Sequence, residues 1–294
     1  MLTGLHAVPQ ERLDLLLADY AGKIARRRRR SLAVLCIVAL LVAIASHYGE
    51  VDPDNLVEHL SNLTSYFGRI LPKLTSANLV GDVTDWYWNF FGWLKLLLDT
   101  VMIAYLGTFA GAAGALAAAF LAADNLTPGR WVRLSSKRIL EFCRTVPDIV
   151  FAMMFVSAFG LGPLAGVLAI AIHTFGALGK QFTEVIENID MKPVEGVRSA
   201  GGGFLDTARY GALPQVISNL ASYALLRFEI NVRSSSIIGF VGAGGIGQDL
   251  FVAIRKFYYT DVSAILLMII VTVSLIDVLI ERIRHRLAPV ESVG

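Results

Sequence analysis

The sequence has few cysteines and few charged residues. Its two cysteines among 294 residues, Cys36 and Cys143, both lie within apolar runs. We predict two buried free thiols that behave as small hydrophobic side chains, which argues against a disulfide framework or a thiolate metal site. Charged residues make up only 17% of the chain, against roughly a quarter in soluble domains. This composition excludes an ordinary soluble domain.

The sequence also lacks a nucleotide-binding loop. No segment matches the pattern G-x-x-x-x-G-K-[ST], which holds nucleotide phosphates in many ATPases. Residues 242–247 do satisfy the dinucleotide pattern G-x-G-x-x-G, but they follow a helix-length apolar run rather than a β-strand. We interpret these glycines as a break in a helix near the outer surface of a membrane. If ATP powers the activity of this chain, another subunit must bind it.

Long apolar runs are the main feature that is present. Apolar residues make up 55% of the chain, and several runs approach the ~20 residues that a helix needs to cross a bilayer. The sequence therefore predicts an all-α membrane protein with about six transmembrane helices. Gly107 and Gly111 form a G-x-x-x-G step in the second of them, where a neighbouring helix can approach closely. The predicted spans are residues 32–48, 94–122, 139–159, 164–186, 215–241 and 262–280.

Clusters of arginine and lysine set the orientation of these spans, because cytoplasmic loops carry an excess of both residues. With six spans and both termini in the cytoplasm, every cluster falls on the same side of the membrane. A basic block before an apolar run also suits a secretory signal, but the length of the basic region favours an uncleaved anchor. The clusters are Arg26–Arg30, then Arg130, Arg133, Lys137 and Arg138, then Arg282, Arg284 and Arg286.

This orientation places residues 49–90 outside the cell membrane. An aromatic cluster at residues 86–93, which contains three tryptophans, lies just before the second span. Two interpretations stay open at this point. The cluster is either an aromatic belt at the membrane surface or the buried core of an external subdomain.

The polar loop between the fourth and fifth spans predicts a short helix-turn-helix. Pro193 suits the first turn of a helix, and Val194, Val197 and Ala200 are spaced to form one apolar edge. Glycines 201–203 are expected to end that helix, because glycine reaches left-handed backbone angles at little cost. Residues 204–213 then form a second short helix, and Pro214 begins the fifth span. The alternative is an ordinary surface loop.

A resemblance to a known family rests on this loop and on five further motifs. Glu195, Gly201 and Leu213-Pro214 have the spacing of the Glu-Ala-Ala loop of ABC importer permeases, although this chain reads Glu-Gly-Val and Gly-Gly-Gly where that family has Glu-Ala-Ala and Gly-Ala-Ser. From about Glu141 to Arg286 the chain resembles the permease subunit of phosphonate ABC importers, within the binding-protein-dependent permease superfamily. The further motifs are RTVPD at 144–148, GLGP at 160–163, HTFGALGK at 173–180, FEINVRS at 228–234 and GFVGAGGIGQ at 239–248.

The resemblance implies a fold like that of type I ABC importer permeases, in the inner membrane. The predicted organisation is a cytoplasmic basic segment 1–30, a first transmembrane anchor 31–48, an external loop or subdomain 49–90, a permease core 91–286 and a cytoplasmic tail 287–294. Within the core, loop 193–214 is the implied coupling loop, which docks on a separate ATPase. The expected docking residues are Glu195, Gly196, Val197, Ala200, Gly201, Leu213 and Pro214.

The resemblance also implies partners. They are a dimer of ATP-binding cassette ATPases that binds ATP and Mg, a periplasmic or lipid-anchored phosphonate-binding protein, and a second copy of this chain in a homodimer. A heterodimer with a related permease stays open. For this chain itself the resemblance implies no cofactor, no metal, no catalytic residue and no nucleic-acid partner.

Charged and polar residues within the spans are the candidate substrate contacts, since a charge at mid-membrane is costly without a partner or a wet cavity. The small residues beside His173 and Lys180 are expected to let the backbone of the fourth span approach a pore. In the fifth span, Glu229 and Arg233 have the spacing of an ion pair within one helix, for which we predict a structural role. Cations tied up in helix–helix ion pairs are the alternative to pathway contacts, and Arg144 has Glu141 as a possible partner. The predicted pathway residues are Arg144, His173, Lys180, Arg227, Asn231, Ser234 and Ser235.

The sequence leaves the identity of the transported anion open. Phosphonate, phosphite, hypophosphite and phosphate esters all suit a pathway lined by donors. A secondary transporter would also contain buried charges and broken helices, but no internal repeat of the kind usual in that class is recognisable. An intramembrane enzyme would need a nucleophile with its base or a metal site, and the five histidines are scattered along the chain.

Overall fold

The computed structural model of the protein describes residues 10–49, 53–72, 75, 77–127 and 129–287. Within these ranges every regular element is a helix, and the chain divides into two units, Met1–Phe67 and Gly68–Gly294. The first nine residues, and all of the predicted tail except Leu287, lie outside the described residues. The helices are α1 (Gln10–Tyr48), α2 (Pro53–Glu58), α3 (Leu60–Ile70), α4 (Leu79–Trp86), α5 (Phe90–Ala122), α6 (Arg130–Thr145), α7 (Asp148–Phe159), α8 (Pro163–Glu187), α9 (Met191–Ser199), α10 (Phe204–Asp206), α11 (Leu213–Ile238), α12 (Ile246–Arg255) and α13 (Tyr259–Leu287).

The first unit consists mainly of α1. This helix runs without a break from its polar N-terminal half through the arginine block Arg26–Arg30 into the apolar run. Residues Asp19–Tyr48 are long and apolar enough to cross a membrane, so the predicted first span is confirmed as part of a longer helix. Cys36 is exposed on α1, and the prediction that this thiol is buried is wrong, because no residue of the apolar stretch around it is covered.

In the second unit, α5 and α8 pack with their backbones in close contact. A Cβ atom added to Gly107 would lie 2.7 Å from Ile170 Cγ2, and one added to Gly111 would lie 2.6 Å from the carbonyl oxygen of Ala171. No side chain fits at either position, so the predicted close approach at the G-x-x-x-G step is confirmed. One turn further along the same face, Ala115 is fully buried.

The predicted third span, residues 139–159, is not one helix. Helix α6 ends at Thr145 and α7 begins at Asp148, with Pro147 between them. Proline restricts the preceding residue to extended angles, and Val146 has φ −76° and ψ 124°. Helix α7 has only 12 residues, fewer than a bilayer crossing requires. The prediction of a continuous third span is therefore wrong.

The other predicted spans correspond to helices. Among the described residues, four helices are long and apolar enough to cross a membrane, namely Asp19–Tyr48 of α1, α5, α8 and α13. A fifth candidate is the bent pair formed by residues Phe204–Val241 and Ile246–Arg255, whose two parts meet at 49°. The predicted all-helical fold is confirmed, with the third span divided as described.

The bend between α11 and α12 falls on the glycine run. After a 3-10 turn at Gly239–Val241, Gly242 and Gly244 both have φ +85° and Gly245 has φ +80°, in the left-handed region that favours glycine. A Cβ atom on Gly247 would lie 1.8 Å from the carbonyl oxygen of Ser236, so α12 folds back closely against the end of α11. The run is a helix break, as its sequence context indicates, and not a loop between a strand and a helix.

The aromatic cluster lies where α5 and α13 begin. The indole Nε1 of Trp86 donates to the carbonyl oxygen of Thr260 at 3.0 Å, and that of Trp88 donates to Asp261 Oδ1 at 3.2 Å. Trp93 is only 2% exposed, whereas Phe91 is 83% exposed. The cluster therefore combines the two interpretations left open by its sequence, since some rings pack against α13 and others face outward.

Replacing Gly111 with alanine should separate α5 from α8 and lower the thermal stability of the protein in detergent. Overpacking of this kind costs about 1–3 kcal/mol, and here the added atoms would meet backbone, which cannot move aside. Gly114→Ala is the matched control, because its added Cβ would meet only the flexible ring of Phe175 at 3.0 Å. Equal melting temperatures for the two variants would contradict this account of the packing.

Candidate functional site

The loop after α8 is folded as a compact turn. Helix α9 is capped by Asp190, whose Oδ1 accepts a hydrogen bond from the backbone N–H of Lys192 at 3.0 Å. Gly201 has φ +86° and ends the helix, as predicted. The backbone N–H of Gly203 then donates to Asp206 Oδ2 at 3.0 Å, which starts α10.

The helical conformation is not interrupted between the second short helix and the fifth span. A π-helical turn at Thr207–Ala212 joins α10 to α11, and the N–H of Leu213 bonds to the carbonyl of Ala208, five residues back. Pro214 has no N–H, and its ring would clash with the carbonyl of Tyr210 in a regular α-helix. The wider π turn relieves this clash. Pro214 lies in the first turn of α11, so the fifth span begins where predicted, but the π turn makes it continuous with the second short helix.

The inner face of α9 packs into the core of the second unit. Val194 is 0% exposed, in a cluster with Leu178, Phe182 and Ile186 of α8. Val197 is half-buried and Ala200 is exposed, so these three residues do not form the single apolar edge that their spacing predicts. The reason is that Val194 fills the contact with α8 and the π turn, while the C-terminal end of α9 projects away from them.

The outer face of α9 is open. Glu195, Gly196, Ala200 and Gly201 are exposed, and Glu195 forms no ion pair with a described residue. A Cβ atom added to Gly196 or Gly201 would have no neighbour within 4 Å. Of the other predicted docking residues, Leu213 is half-buried and Pro214 is exposed.

Hydrogen bonds fix this loop to the rest of the second unit. Arg198 Nη2 donates to the carbonyl oxygen of Leu126 at 3.2 Å, in the connection between α5 and α6. Gln215 at the start of α11 bonds the backbone of Asp190 in both directions, accepting at 3.1 Å and donating at 3.0 Å. The loop is thus tied at one end to α11 and at the other to the connection after α5.

An ion-pair network lies beside the base of the loop. Asp124 Oδ1 is 2.9 Å from both Arg133 Nε and Lys137 Nζ, and Lys137 Nζ is 3.0 Å from Glu187 Oε1 at the end of α8. The hydrogen bond from Lys137 lowers the pKa of Asp124. Partial burial opposes the charge of Lys137, but its bonds to Asp124 and Glu187 outweigh burial and raise its pKa. The network joins the C-terminal ends of α5 and α8 to α6.

Sequence reasoning missed this network. It used Arg133 and Lys137 only to orient the spans, and it gave Asp124, Glu187 and Arg198 no role. The available signal is an acidic residue at the end of a span, on the side where the cations gather. Asp124 comes shortly after the second span, which is rich in small residues, and Glu187 comes directly after the fourth. Their distance along the chain hides the contact.

An arginine, a histidine and an aspartate lie close together near the break between α6 and α7. Arg227 Nη2 of α11 contacts His173 Nδ1 of α8, and the carboxylate of Asp148 at the start of α7 acts electrostatically on both. The Nε atom of Arg227 is buried and has no hydrogen-bond partner among the described residues. Arg144, at the end of α6, is exposed, and its backbone interacts with the ring of His173. Asp148 is the member that sequence reasoning quoted only as part of a motif.

Other predicted pathway residues hold helices together. Asn231 is 2% exposed, and its Nδ2 donates to Thr108 Oγ1 of α5 at 2.7 Å and to Thr174 Oγ1 of α8 at 2.8 Å. Ser235, also 2% exposed, donates to the carbonyl oxygen of Thr100 at 3.1 Å. Ser234 beside it is half-buried. In this conformation, Asn231 and Ser235 belong to the contacts of α11 with α5 and α8.

The ion pairs of the predicted cations are local. Lys180 lies 3.6 Å from Glu184 on the same helix, and Arg233 contacts Glu229 as its spacing predicts. Glu141 pairs with Arg138 at 2.5 Å, so it is not the partner of Arg144. Both partners of each pair lie on one helix, so the helix–helix ion pairs considered from the sequence do not form among these residues.

The glycine beside these cations does not approach a pore. A Cβ atom on Gly176 would lie 2.4 Å from the backbone nitrogen of Arg144, so α6 covers this face of α8. The expectation that small residues of the fourth span open its backbone to a pore is wrong at this position.

Comparison with known proteins assigns the chain to a family. A family model described as the inner membrane component of binding-protein-dependent transport systems matches residues 110–290, more than half of the chain. The chain belongs to this family. It is therefore a multi-pass inner-membrane permease component and not an enzyme, and membership implies an ATPase and a substrate-binding protein as partners.

Individual relatives support this assignment. The permease is 35% identical over 249 residues to the phosphite transport system permease protein PtxC of Stutzerimonas stutzeri. The aligned region covers 84% of this chain and 86% of the relative. It is 36% identical to the phosphate-import permease protein PhnE of Mycolicibacterium smegmatis, over 79% of this chain and 42% of the relative. It is 51% identical to the putative cryptic phosphonate transport system permease protein PhnE2 of Escherichia coli, over 40% of this chain and 96% of the relative.

Solved structures of low identity share the fold of this permease. An inward-facing form of the MetNI methionine ABC transporter has a TM-score of 0.58 at 18% identity, and the match covers 67% of this chain and 96% of the other. At this identity the likeness shows the fold alone. The predicted fold of a type I ABC importer permease is confirmed.

Replacing Lys137 with methionine should destabilise the permease at neutral pH, by less than about 1 kcal/mol because the network is partly exposed. The folded-state pKa of Asp124 is lowered, so its contribution is present above the unfolded-state pKa and is lost as the pH falls through the folded-state value. The stability difference between wild type and Lys137→Met should therefore shrink in acid, measured by thermal unfolding in detergent.

Lys180→Met is the matched control for that experiment, because Lys180 forms one longer and more exposed pair on its own helix. It should show a smaller difference at neutral pH. A difference for Lys137→Met that stays constant down to acid pH would show that the network contributes nothing through charge.

Proposed function

We propose that this chain is the membrane-spanning subunit of an ATP-driven importer for a phosphonate or a related phosphorus oxyanion. Three relatives support this substrate class, since their names specify transport of phosphite, phosphate or phosphonate. Transport proceeds by alternating access between an inward- and an outward-facing state. Phosphite, hypophosphite or another small anion is the alternative cargo of the same mechanism.

The observation that carries this proposal is the open outer face of α9. An ATPase needs a surface that is accessible yet rigidly joined to the spans, and α9 combines exposed Glu195 and Gly196 with a fully buried Val194 beneath them. The sequence contains no P-loop of its own. We therefore assign ATP and Mg to a partner ATPase dimer, which grips this face in each of two permease copies.

Force applied to α9 reaches several spans at once. Arg198 joins it to the α5–α6 connection, Gln215 joins its first turn to α11, and Val194 seats it on α8. Closely packed helices move as rigid bodies and do not deform continuously. Closure of the ATPase dimer would thus rotate α5, α8 and α11 together.

The anion path is proposed to pass the cluster of Arg227, His173 and Arg144. A guanidinium group binds oxyanions through paired N–H donors, and Arg227 retains a buried Nε donor that no described residue accepts. Lys180, Asn231, Ser234 and Ser235 remain predicted members of the path; for buried Asn231 and Ser235, contact with substrate requires the other conformational state. Weak, separated donors favour release over trapping.

The partners follow from the same proposal. A phosphonate-binding protein, periplasmic or lipid-anchored, delivers the anion, and two copies of this chain form a homodimer with the pathway between them. A heterodimer with a related permease is the alternative assembly. Co-expression of two differently tagged copies, followed by purification on one tag, tests this point by recovery of the other.

Gly196→Trp should weaken ATPase docking without affecting the fold, because its side chain would project from the open face of α9. We expect the affinity for the cognate ATPase, measured by co-purification, to fall by at least about tenfold. Gly196→Ala is the matched control and should retain docking, with a helix stabilised by about 0.5–1 kcal/mol.

Unchanged ATPase binding by Gly196→Trp, at an unchanged melting temperature, would reject docking through this face. Uptake by the chain alone in ATP-free vesicles would instead favour a secondary transporter.

Arg227→Gln should reduce anion uptake in proteoliposomes that contain the ATPase and binding protein, by roughly tenfold or more for loss of a charge-assisted contact. Arg227→Lys should restore part of the uptake, since it keeps the charge but not the paired donors. Arg138→Gln is the control, because Arg138 pairs with Glu141 on an exposed face of α6. Normal uptake by Arg227→Gln, with assembly and ATPase activity intact, would exclude Arg227 from the path.

A further inference from the structure

The arginine block of α1 forms a collar around the helix. Arg26–Arg30 are five consecutive residues inside an unbroken helix, and all five are exposed. Successive residues of an α-helix are rotated by about 100°, so five of them cover the whole circumference. With a rise of about 1.5 Å per residue, the collar occupies only about 6–7 Å along the helix axis.

No described side chain neutralises the charge of this collar. Lys23 pairs with Asp19 at 2.6 Å on the preceding turn, so the acidic group closest to the collar among the described side chains of α1 is already paired. None of the five arginines forms an ion pair with a described residue. The collar therefore presents five positive charges in a narrow ring.

The position of the ring relative to the apolar run fixes its depth in the membrane. Residues 32–48 follow it directly and have a length of about 26 Å as a helix, close to the ~30 Å hydrocarbon core of a bilayer. Because this run is slightly short, the arginines cannot lie far from the lipid surface when the run spans the core. They are held at the level of the phosphate groups of one leaflet.

We propose that Arg26–Arg30 form a binding site for the phosphate groups of anionic phospholipids. The full-circle geometry favours this ligand over a protein partner, since one protein surface can contact only one side of a helix whereas headgroups surround it. Guanidinium groups pair bidentately with phosphate, and clusters of four to eight basic residues beside a transmembrane helix attract anionic lipid. The site anchors the first helix of the chain in one leaflet.

Lipid retention by the full-length protein tests this proposal. Wild type and a variant with all five arginines changed to glutamine are inserted in nanodiscs of equal phosphatidylglycerol and phosphatidylcholine, extracted in mild detergent, and analysed for bound lipid by mass spectrometry. We expect wild type to retain phosphatidylglycerol selectively and the variant to retain roughly tenfold less. Lys23→Gln is the matched control, because its charge is already paired, and should retain lipid as wild type does.

A variant with all five arginines changed to lysine keeps the charge that orients the helix and so remains testable if the glutamine variant fails to insert. We expect it to lose phosphatidylglycerol at a lower salt concentration than wild type, because lysine lacks the bidentate geometry. Equal retention by the glutamine variant would overturn the proposal, as would equal salt dependence of the lysine variant and wild type.

Inorganic phosphate distinguishes a lipid site from a free-anion site. Millimolar phosphate added during extraction should leave bound phosphatidylglycerol unchanged, and complete displacement would overturn the assignment to lipid. The measurement needs neither ATP nor a transported anion, so its outcome is independent of the proposed transport function.

Discussion

Direct contact between the backbones of α5 and α8 determines much of the rest of the structure. Within a bilayer, apolar side chains gain little by leaving lipid, so helix association depends on close packing and on polar contacts between helices. Glycine at 107 and 111 brings the two helices close enough for Thr108 and Thr174 to share the amide of Asn231 on α11. Because α5 and α8 run in the same direction, their C-terminal ends also meet. The ion-pair network and the seat of α9 both form there.

The proposed site combines a loop held by hydrogen bonds with one buried donor, Arg227 Nε, that has no partner among the described residues. The loop that contains α9 is held by hydrogen bonds of Arg198 and Gln215 and by the buried side chain of Val194. Further along the spans, Arg227 and His173 contact each other beside Asp148, and the Nε atom of Arg227 has no hydrogen-bond partner among the described residues. In the proposed pathway, such a cluster would bind an anion transiently and then release it.

The sequence predicted the parts of this structure that depend on local pattern. Apolar length located five of the six spans, the G-x-x-x-G step located the close contact between α5 and α8, and glycines 242–247 located the break before α12. It failed where two patterns overlap or distant residues meet. The amphipathic α6 and the apolar α7 resemble one continuous run, and only the restriction imposed by Pro147 separates them. Asn231 and Lys137 form hydrogen bonds with residues that are between 50 and 123 positions away along the chain. No local sequence pattern can indicate such contacts.

The π turn before α11 has a geometric consequence for the whole fifth span. It places one more residue in the turn than an α-helix would, and each residue of an α-helix accounts for a rotation of about 100°. The turn thus sets the angular phase between the surface that an ATPase would hold and the side of α11 that carries Arg227. Deletion of a single residue here would leave both ends of the helix intact but direct its guanidinium group toward a different neighbour. In such a chain, α9 would keep its position, but Arg227 would no longer point into the proposed anion path.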